Sequence, residues 1–361
     1  MTATLPRTED DPDDLDHARH RRTTVLWLGG LGAALVVVLI VATGLGPVWV
    51  PPGTVARIVG HHLFAVPAVA DWTPAQDSIV WLVRVPRVVL GAMVGAALAV
   101  AGAVLQTLVR NVLADPHILG VTSGASTGAA VSLLFGVTAA TASALAASAF
   151  AGALAATVLL FAIARINGQM TSLRLLLGGV TIGYLFSAAT SFLIFASDNQ
   201  EGARTVLFWL LGSLSSAGWS SVATTALVTA AAVGALLLLA ARLDVLAAGD
   251  DTARALGLSP VRLRMLTLGI VALAVGAVVA VAGAIGFVGL IVPHIARLCG
   301  GGTHRRLIPL AAVLGALFLV IADIAARVVF APRELPLGIV TAVVGAPLLL
   351  VLIRRSRQPL H

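Results

Sequence analysis

The sequence predicts an all-α polytopic membrane protein with about ten transmembrane helices, and three observations carry that prediction. Of 361 residues, 59 % are hydrophobic and only 11 % charged, against about a quarter charged in a soluble domain. So few charges cannot cover so much apolar surface in water. The apolar residues also gather into runs close to the ~20 residues a helix needs to cross a bilayer. Finally, 36 glycines against 5 % aromatics suit helices that approach one another closely.

Residues 1–24 are polar, with an acidic run from Glu9 to Asp16 followed by Arg19, His20, Arg21 and Arg22. They read as a disordered cytoplasmic tail. Residues 25–46 form the first span, too long for the apolar core of a signal peptide and without a small-residue cleavage site. A loop over 47–86 follows, carrying prolines, His61, His62, Trp72 and Trp81. Further spans are expected near 88–108, 118–137, 141–164, 173–196, 221–241, 264–284, 285–298, 307–330 and 336–353. The 264–298 block must bend at Gly283 and Gly286. Residues 25–355 thus make one transmembrane domain, and 356–361 a second cytoplasmic tail.

The formal charge is +7, and all 23 basic residues are arginine. Without a lysine there is no Walker-A phosphate loop, Schiff-base enzyme or retinal protein. If ATP drives this chain, another chain must hydrolyse it. With both termini inside, seventeen arginines fall in cytoplasmic segments, against Arg57, Arg84, Arg87, Arg204, Arg327 and Arg333 outside. That distribution follows the positive-inside rule and accounts for the basic balance without a nucleic-acid partner. The lone Cys299 permits no internal disulfide.

Gly95–Ala103 is similar to Gly276–Ala284, and Leu177–Thr181 to Leu337–Thr341. The spans involved run in opposite directions in this topology, as inverted transporter repeats do; shared Ala/Gly/Val composition is the plainer reading. Gly91 and Gly95, and Gly120, Gly124 and Gly128, recur every fourth residue and predict helix faces that pack backbone to backbone.

Other motifs carry less. Gly124-Ala-Ser-Thr-Gly128 has the hydrolase-elbow spacing but lies in an apolar helix rather than after a strand. Ser126 with His294 as base is the remote intramembrane-protease version. There is no His-Glu-x-x-His, and adjacent His61 and His62 do not converge on a metal. His117 and His294 each follow a proline at an expected helix boundary and read as structural. Asp323 and Arg327 are four apart and can pair along one helix face. A buried charge at mid-membrane is costly, so they belong near an edge or cavity. Asp323 is also the only candidate coupling carboxylate for a secondary transporter.

Between Arg242 and Arg264 the residues predict a short helix. Asp250 or Asp251 can cap it, Thr252–Leu256 can form it and Gly257 can end it. Ser259 and Pro260 then start the next span. Such a helix suits either a partner's groove or a well-capped connector, and the residues alone do not choose.

Together these features resemble the permease subunits of ABC importers for vitamin B12, ferric siderophores and haem. The resemblance runs from about residue 25 to the C-terminus. Its carriers are Arg84-Val-Pro-Arg87, Gly102-Ala-Val-Leu-Gln106, Arg110–Pro116, Gly283–His294, Ala322–Arg327 and Glu334–Thr341. It implies two permease subunits, identical or paralogous, with two cytoplasmic ATPases that hold ATP and magnesium. It further implies an extracytoplasmic binding protein, and no catalysis, metal or cofactor on this chain. Arg84, Arg87 and Arg327 match arginines that meet acidic groups on the binding protein. Gly249, Asp250, Asp251, Ala253, Arg254, Leu256 and Gly257 match the helix that seats on the ATPase. Asn111 and Leu113 match one cytoplasmic gate, and Thr171 and Ser172 another. Residues 206–219 resemble a short outer helix beside the pathway. Val112 stands where the family carries proline. The resemblance makes ferric siderophore the first expected substrate, with cobalamin and haem as alternatives, in a plasma-membrane importer.

Overall fold

The computed structural model describes residues 12–46, 48–67, 69–135, 142–165 and 170–355. They are helical throughout, with no strand among them. Helices of span length are α1 (Pro12–Gly44), α4 (Val85–Val109), α6 (Ala142–Ala164), α7 (Ser172–Phe195), α9 (Trp219–Leu238), α12 (Pro260–Ala282) and α14 (His304–Val328). Three shorter apolar helices, α5 (Val121–Phe135), α13 (Val288–Gly300) and α15 (Leu337–Arg355), fill the remaining expected positions. Each of the ten apolar runs therefore becomes a helix. The connecting helices are α2 (Pro52–Phe64), α3 (Pro74–Asp77), α8 (Gln200–Leu210), α10 (Ala240–Ala248) and α11 (Asp250–Ala255).

Four local expectations are corrected. The polar tail was expected to stay disordered through residue 24, but α1 is helical from Pro12. Residues 13–28 contain no proline or glycine, so a helix nucleated in the apolar run propagates back through them. Residues 1–11 and 356–361 lie outside the described residues. The 47–86 loop is largely helical, because Thr73 and Gln76 form a reciprocal capping box and Pro74 takes the first helical position. From Pro74 the helix runs unbroken to Val109, through a π-helical turn at Ser78–Arg84. There Pro86 has no N–H to give, and the Val85 N–H reaches back to Val80. The short outer helix occupies Gln200–Leu210 rather than 206–219, since Asn199 caps it by accepting from the Gly202 N–H. Finally, Pro293 and His294 fall inside α13 and not at a boundary.

Helix α4 is the core of the bundle, buried along most of its length and packed on α9, α12, α13 and α14. Two contacts on it need glycine. A Cβ on Gly95 would lie 2.2 Å from the Gly315 carbonyl oxygen of α14, and one on Gly102 would lie 1.8 Å from that of Gly289 in α13. A second group is α5, α6 and α7, where Gly124 and Gly152 meet in the same way. The expected three-glycine face is thus split. Gly124 and Gly128 face α6, whereas Gly120 precedes α5 with a left-handed φ of 76° and faces Ile182 of α7. The bend in the 264–298 block comes at Gly283, whose φ is 69°, and α13 restarts after Phe287. Of the internal similarity, Gly95–Ala103 lies within α4, whereas Gly276–Ala284 runs off the end of α12.

Candidate functional site

At about 1.5 Å per residue, the 25 residues of α4 separate two polar clusters by a membrane's thickness. Arg84, Arg87 and Arg327 meet at one end. Arg84 donates to the carbonyls of Thr43, Gly44 and Val48, so it satisfies the exposed C-terminus of α1. Arg327 donates to Ala42 and Leu45 at 3.0 and 2.8 Å, on the same turn of chain. Asp323 sits between the other two guanidinium groups. Arg87 Nε and Nη2 are each 3.0 Å from its Oδ1, and Arg87 Nη1 donates to Glu334 at 2.9 Å. Arg327 Nε lies 3.0 Å from Asp323 Oδ2, although its N–H points at the Asp323 carbonyl.

The expected i,i+4 pair therefore forms, one and a half turns from the end of α14. All three arginines are buried, at 4–7 % exposure, and their donors are spent inside the chain. Three arginines against two carboxylates leave one positive charge in excess. Glu334, 37 % exposed, is the member that reaches solvent.

Glu334 also lines a cavity of about 660 Å³ between the ends of α6, α8, α9 and α12. Its walls are mainly apolar, with Phe208, Trp209, Val281 and Leu335, and carry hydroxyls at Ser213, Ser215, Ser220, Ser221 and Thr224. Gly212, at a φ of 72°, turns the chain there. Such a wall can hydrogen-bond a neutral, polar ligand while presenting one carboxylate. Beside it, His62 stacks on Trp81 with centroids 4.3 Å apart and 4° between planes. Trp219 donates to the Trp81 carbonyl. The His62 ring nitrogen is 3.1 Å from Asp77, and His61 contacts the Pro67 carbonyl. No group of three or more metal-ligating side chains converges among the described residues.

The opposite end carries the rest of the predicted positions. Helix α11 forms over Asp250–Ala255 and ends at Gly257, whose φ is 77°. Ser259 and Pro260 start α12 as expected, Ser259 accepting from the Arg262 N–H. The cap of α11 differs, because Gly249 takes the N-cap position and neither aspartate caps it. Asp250 is taken by stronger partners: both oxygens accept from Arg264 at 2.8 Å, and Oδ1 also accepts from Arg110 at 2.6 Å. Hydrogen bonding from Arg264 and the surrounding arginines hold its carboxyl below the usual aspartate range, against the opposing effect of burial. Ala253 anchors the helix inward, while Asp251, Arg254 and Leu256 are exposed.

The two predicted gate segments come together here. The Ser172 hydroxyl donates to the Leu108 carbonyl at 3.0 Å, and Thr171 caps α7. Asn111 accepts from the Leu113 N–H at 2.9 Å. That side-chain turn holds Val112 in place without proline. Close by, His304 bridges Asp244 and Thr107, and Arg297 donates to Gln106, whose amide reaches the carbonyls of Gly289 and Leu290.

Sequence reasoning missed Arg264, because its burial depends on partners 14 and about 90 residues away. It also missed Glu334 as a partner of Arg87. The Ser126 hydroxyl bonds back to Thr122 within α5, as a packing serine does.

Residues 34–355 match the FecCD transport family. The cobalamin import system permease BtuC of Halobacterium salinarum is 39 % identical, over 91 % of this chain and 96 % of its own length. The ABC transporter permease YvrB of Bacillus subtilis is 40 % identical over 90 % and 92 %. The vitamin B12 permease BtuC of Vibrio cholerae is 38 % identical over 95 % and 98 %. A solved structure of a metal-chelate type ABC transporter, inward-facing, superposes with a TM-score of 0.79 at 33 % identity, covering 91 % of this chain and 98 % of that one. The ten apolar helices, the glycine contacts along α4 and these full-length similarities lead to one conclusion: the chain belongs to the FecCD transport family and is an ABC importer permease.

Proposed function

We propose that this permease imports a cobalamin, taking it from an extracytoplasmic binding protein and releasing it to the cytoplasm as separate ATPase subunits bind and hydrolyse ATP. The observation that carries the choice of substrate is the similarity, over more than nine tenths of the chain, to permeases named for cobalamin. It supports placing cobalamin ahead of ferric siderophore, the expectation from family membership alone. The cavity is compatible with it, since its apolar wall suits the face of a corrin and its hydroxyls suit the amide groups around the rim. Ferric siderophore stays as a second reading because the metal-chelate transporter structure is 33 % identical.

The remaining assignments follow from chemistry. The arginine distribution supports a plasma-membrane topology with both termini and α11 on the cytoplasmic side. The exposed Asp251, Arg254 and Leu256 then form the surface that seats on an ATPase. ATP and magnesium belong to that subunit, because this chain has no P-loop lysine. The end bearing Arg84, Arg87 and Arg327 faces outward and receives the binding protein. Because those guanidinium groups are committed internally, an acidic partner meets their one excess charge, not three outstretched arginines. A second permease copy, identical or paralogous, completes the pathway.

Uptake of labelled cobalamin, ferric siderophore and haem by cells with and without this chain tests the reading. Selective loss of cobalamin uptake is expected. Selective loss of siderophore-iron or haem uptake would keep the importer and replace the substrate, and undiminished uptake of all three in a strain lacking paralogues would refute it.

A further inference from the structure

Arg264 stands in the first turns of α12 with its side chain 1 % exposed. Its guanidinium touches two segments besides its own helix. Nη1 donates to Asp250 Oδ2 at 2.8 Å and to the Met170 carbonyl at 3.2 Å. Nη2 donates to Asp250 Oδ1 at 2.8 Å and to the Ser172 hydroxyl at 3.3 Å. The Ser172 hydroxyl donates in turn to the Leu108 carbonyl, and Arg110 closes the circuit onto Asp250 from the end of α4. A continuous path of hydrogen bonds thus joins the first residue of α11 to Ser172 of one segment read as a gate, and through Leu108 and Arg110 to the chain immediately before the other, Asn111–Leu113.

We propose that Arg264 and Asp250 form the mechanical link that passes displacement of α11 to Asn111–Leu113 and Thr171–Ser172. The inference rests on the reading of α11 as the ATPase-seating helix. Two features favour transmission over simple anchoring of a loop. A bidentate guanidinium–carboxylate pair fixes both distance and orientation, so it carries push as well as pull. The same guanidinium also reaches the start of α7, where a loop anchor needs only Asp250. Its Nε is buried without a partner among the described residues. The group is therefore placed for its two outward-reaching nitrogens at the expense of the third. Lysine could keep the charge but not the fork.

The test uses the permease assembled with its ATPases in liposomes, measuring substrate moved per ATP hydrolysed. Arg264→Gln should leave assembly and ATP turnover in place while uptake per ATP falls about tenfold, within the range of typical coupling free energies. Arg264→Lys should fall between that variant and the wild type. Arg110→Gln, which removes only the solvent-facing strut, should cost less.

A second readout guards against misfolding. On a Cys299→Ser background, spin labels at Ala255 of α11 and at exposed Val112 should keep one separation in nucleotide-free and ATP-bound states. Arg264→Gln should let that separation change on ATP binding. An unchanged coupling ratio in Arg264→Gln, or a wild-type separation that already changes with ATP, would overturn the link. Failure of the wild type to show ATP-dependent uptake would overturn the functional reading, and the link with it.

Discussion

Replacing Asp323 with asparagine gives the sharpest test of the arginine cluster. Asp323 is 1 % exposed and lies 3.0 Å from both Arg87 and Arg327. Two unit charges at that distance attract by about 5 kcal/mol at an effective dielectric near 20. Asparagine would remove both charge attractions and set its N–H₂ against one of the two guanidinium groups, raising the cluster's excess charge from one to two. Removing one partner of a buried pair costs about 3–5 kcal/mol, because the other charge stays buried. The single cysteine supplies the assay. Cys299 is half-buried, so a thiol-reactive dye reports thermal unfolding of the detergent-solubilised chain.

Asp323→Asn should unfold several degrees below wild type, and Arg327→Gln should do likewise. The double variant should cost clearly less than the sum of the two, since it returns the cluster's excess charge to one and leaves Arg87 its Glu334 partner. Equal additivity, or a single variant within about 1 kcal/mol of wild type, would refute this account of the cluster. Normal stability with abolished uptake in Asp323→Asn would instead assign the carboxylate a role in transport itself.

Four further outcomes follow from the geometry. Gly102→Ala puts a Cβ 1.8 Å from the Gly289 carbonyl oxygen and should cost at least the ~1–3 kcal/mol of an overpacked core. Gly234→Ala in α9, with nothing within 4 Å, should be neutral or stabilising by up to ~1 kcal/mol in the same melts. Trp219→Phe removes the 2.9 Å bond to the Trp81 carbonyl and should lower stability by ~0.5–1.5 kcal/mol. Asp250 has a folded pKa below its unfolded value. Its stabilisation is therefore complete above the unfolded pKa of about 3.9 and is lost as pH falls through the lower folded value. Asp250→Asn should accordingly flatten the acid limb of the stability profile below about pH 4 and leave its slope near pH 7 unchanged.

What was legible in the sequence is what depends on near neighbours or on bulk hydropathy. Ten apolar runs announce ten helices because span length is set by the bilayer, and Asp323 and Arg327 announce their pairing by spacing alone. The capping box at Thr73 and Gln76 was equally legible, but the prolines around it made the stretch look like a loop. The end of α11 at Gly257 was readable from its residue type, whereas its cap was not. An aspartate ahead of a helix normally accepts from the backbone, yet here a buried arginine offers a stronger, charge-assisted pair. Arg87 with Glu334, 247 residues apart, had no signal in one sequence. Nor did the internal commitment of Arg84, whose acceptors are backbone carbonyls and carry no residue identity.

The distribution of tight contacts also says where this bundle can move. Helix α4 is fixed to α13 and α14 by backbone contacts at Gly102 and Gly95 and by Arg87 with Asp323. Gln106, between Arg297 and the α13 carbonyls, completes that tie near the far end. Helices α5, α6 and α7 are fixed to each other by Gly124 against Gly152 and by Thr127, which bonds the Phe186 carbonyl and Thr190. Sliding within either group would drive backbone atoms together, so rocking of one group against the other is the lower-energy motion, as in transporters built from rigid bundles. The bond from Ser172 to Leu108 and the fork of Arg264 bridge α7, α11 and the end of α4 at the boundary between the two groups. On the proposed reading of α11 as the ATPase-seating helix, force entering there meets the bundle at the boundary between the two groups.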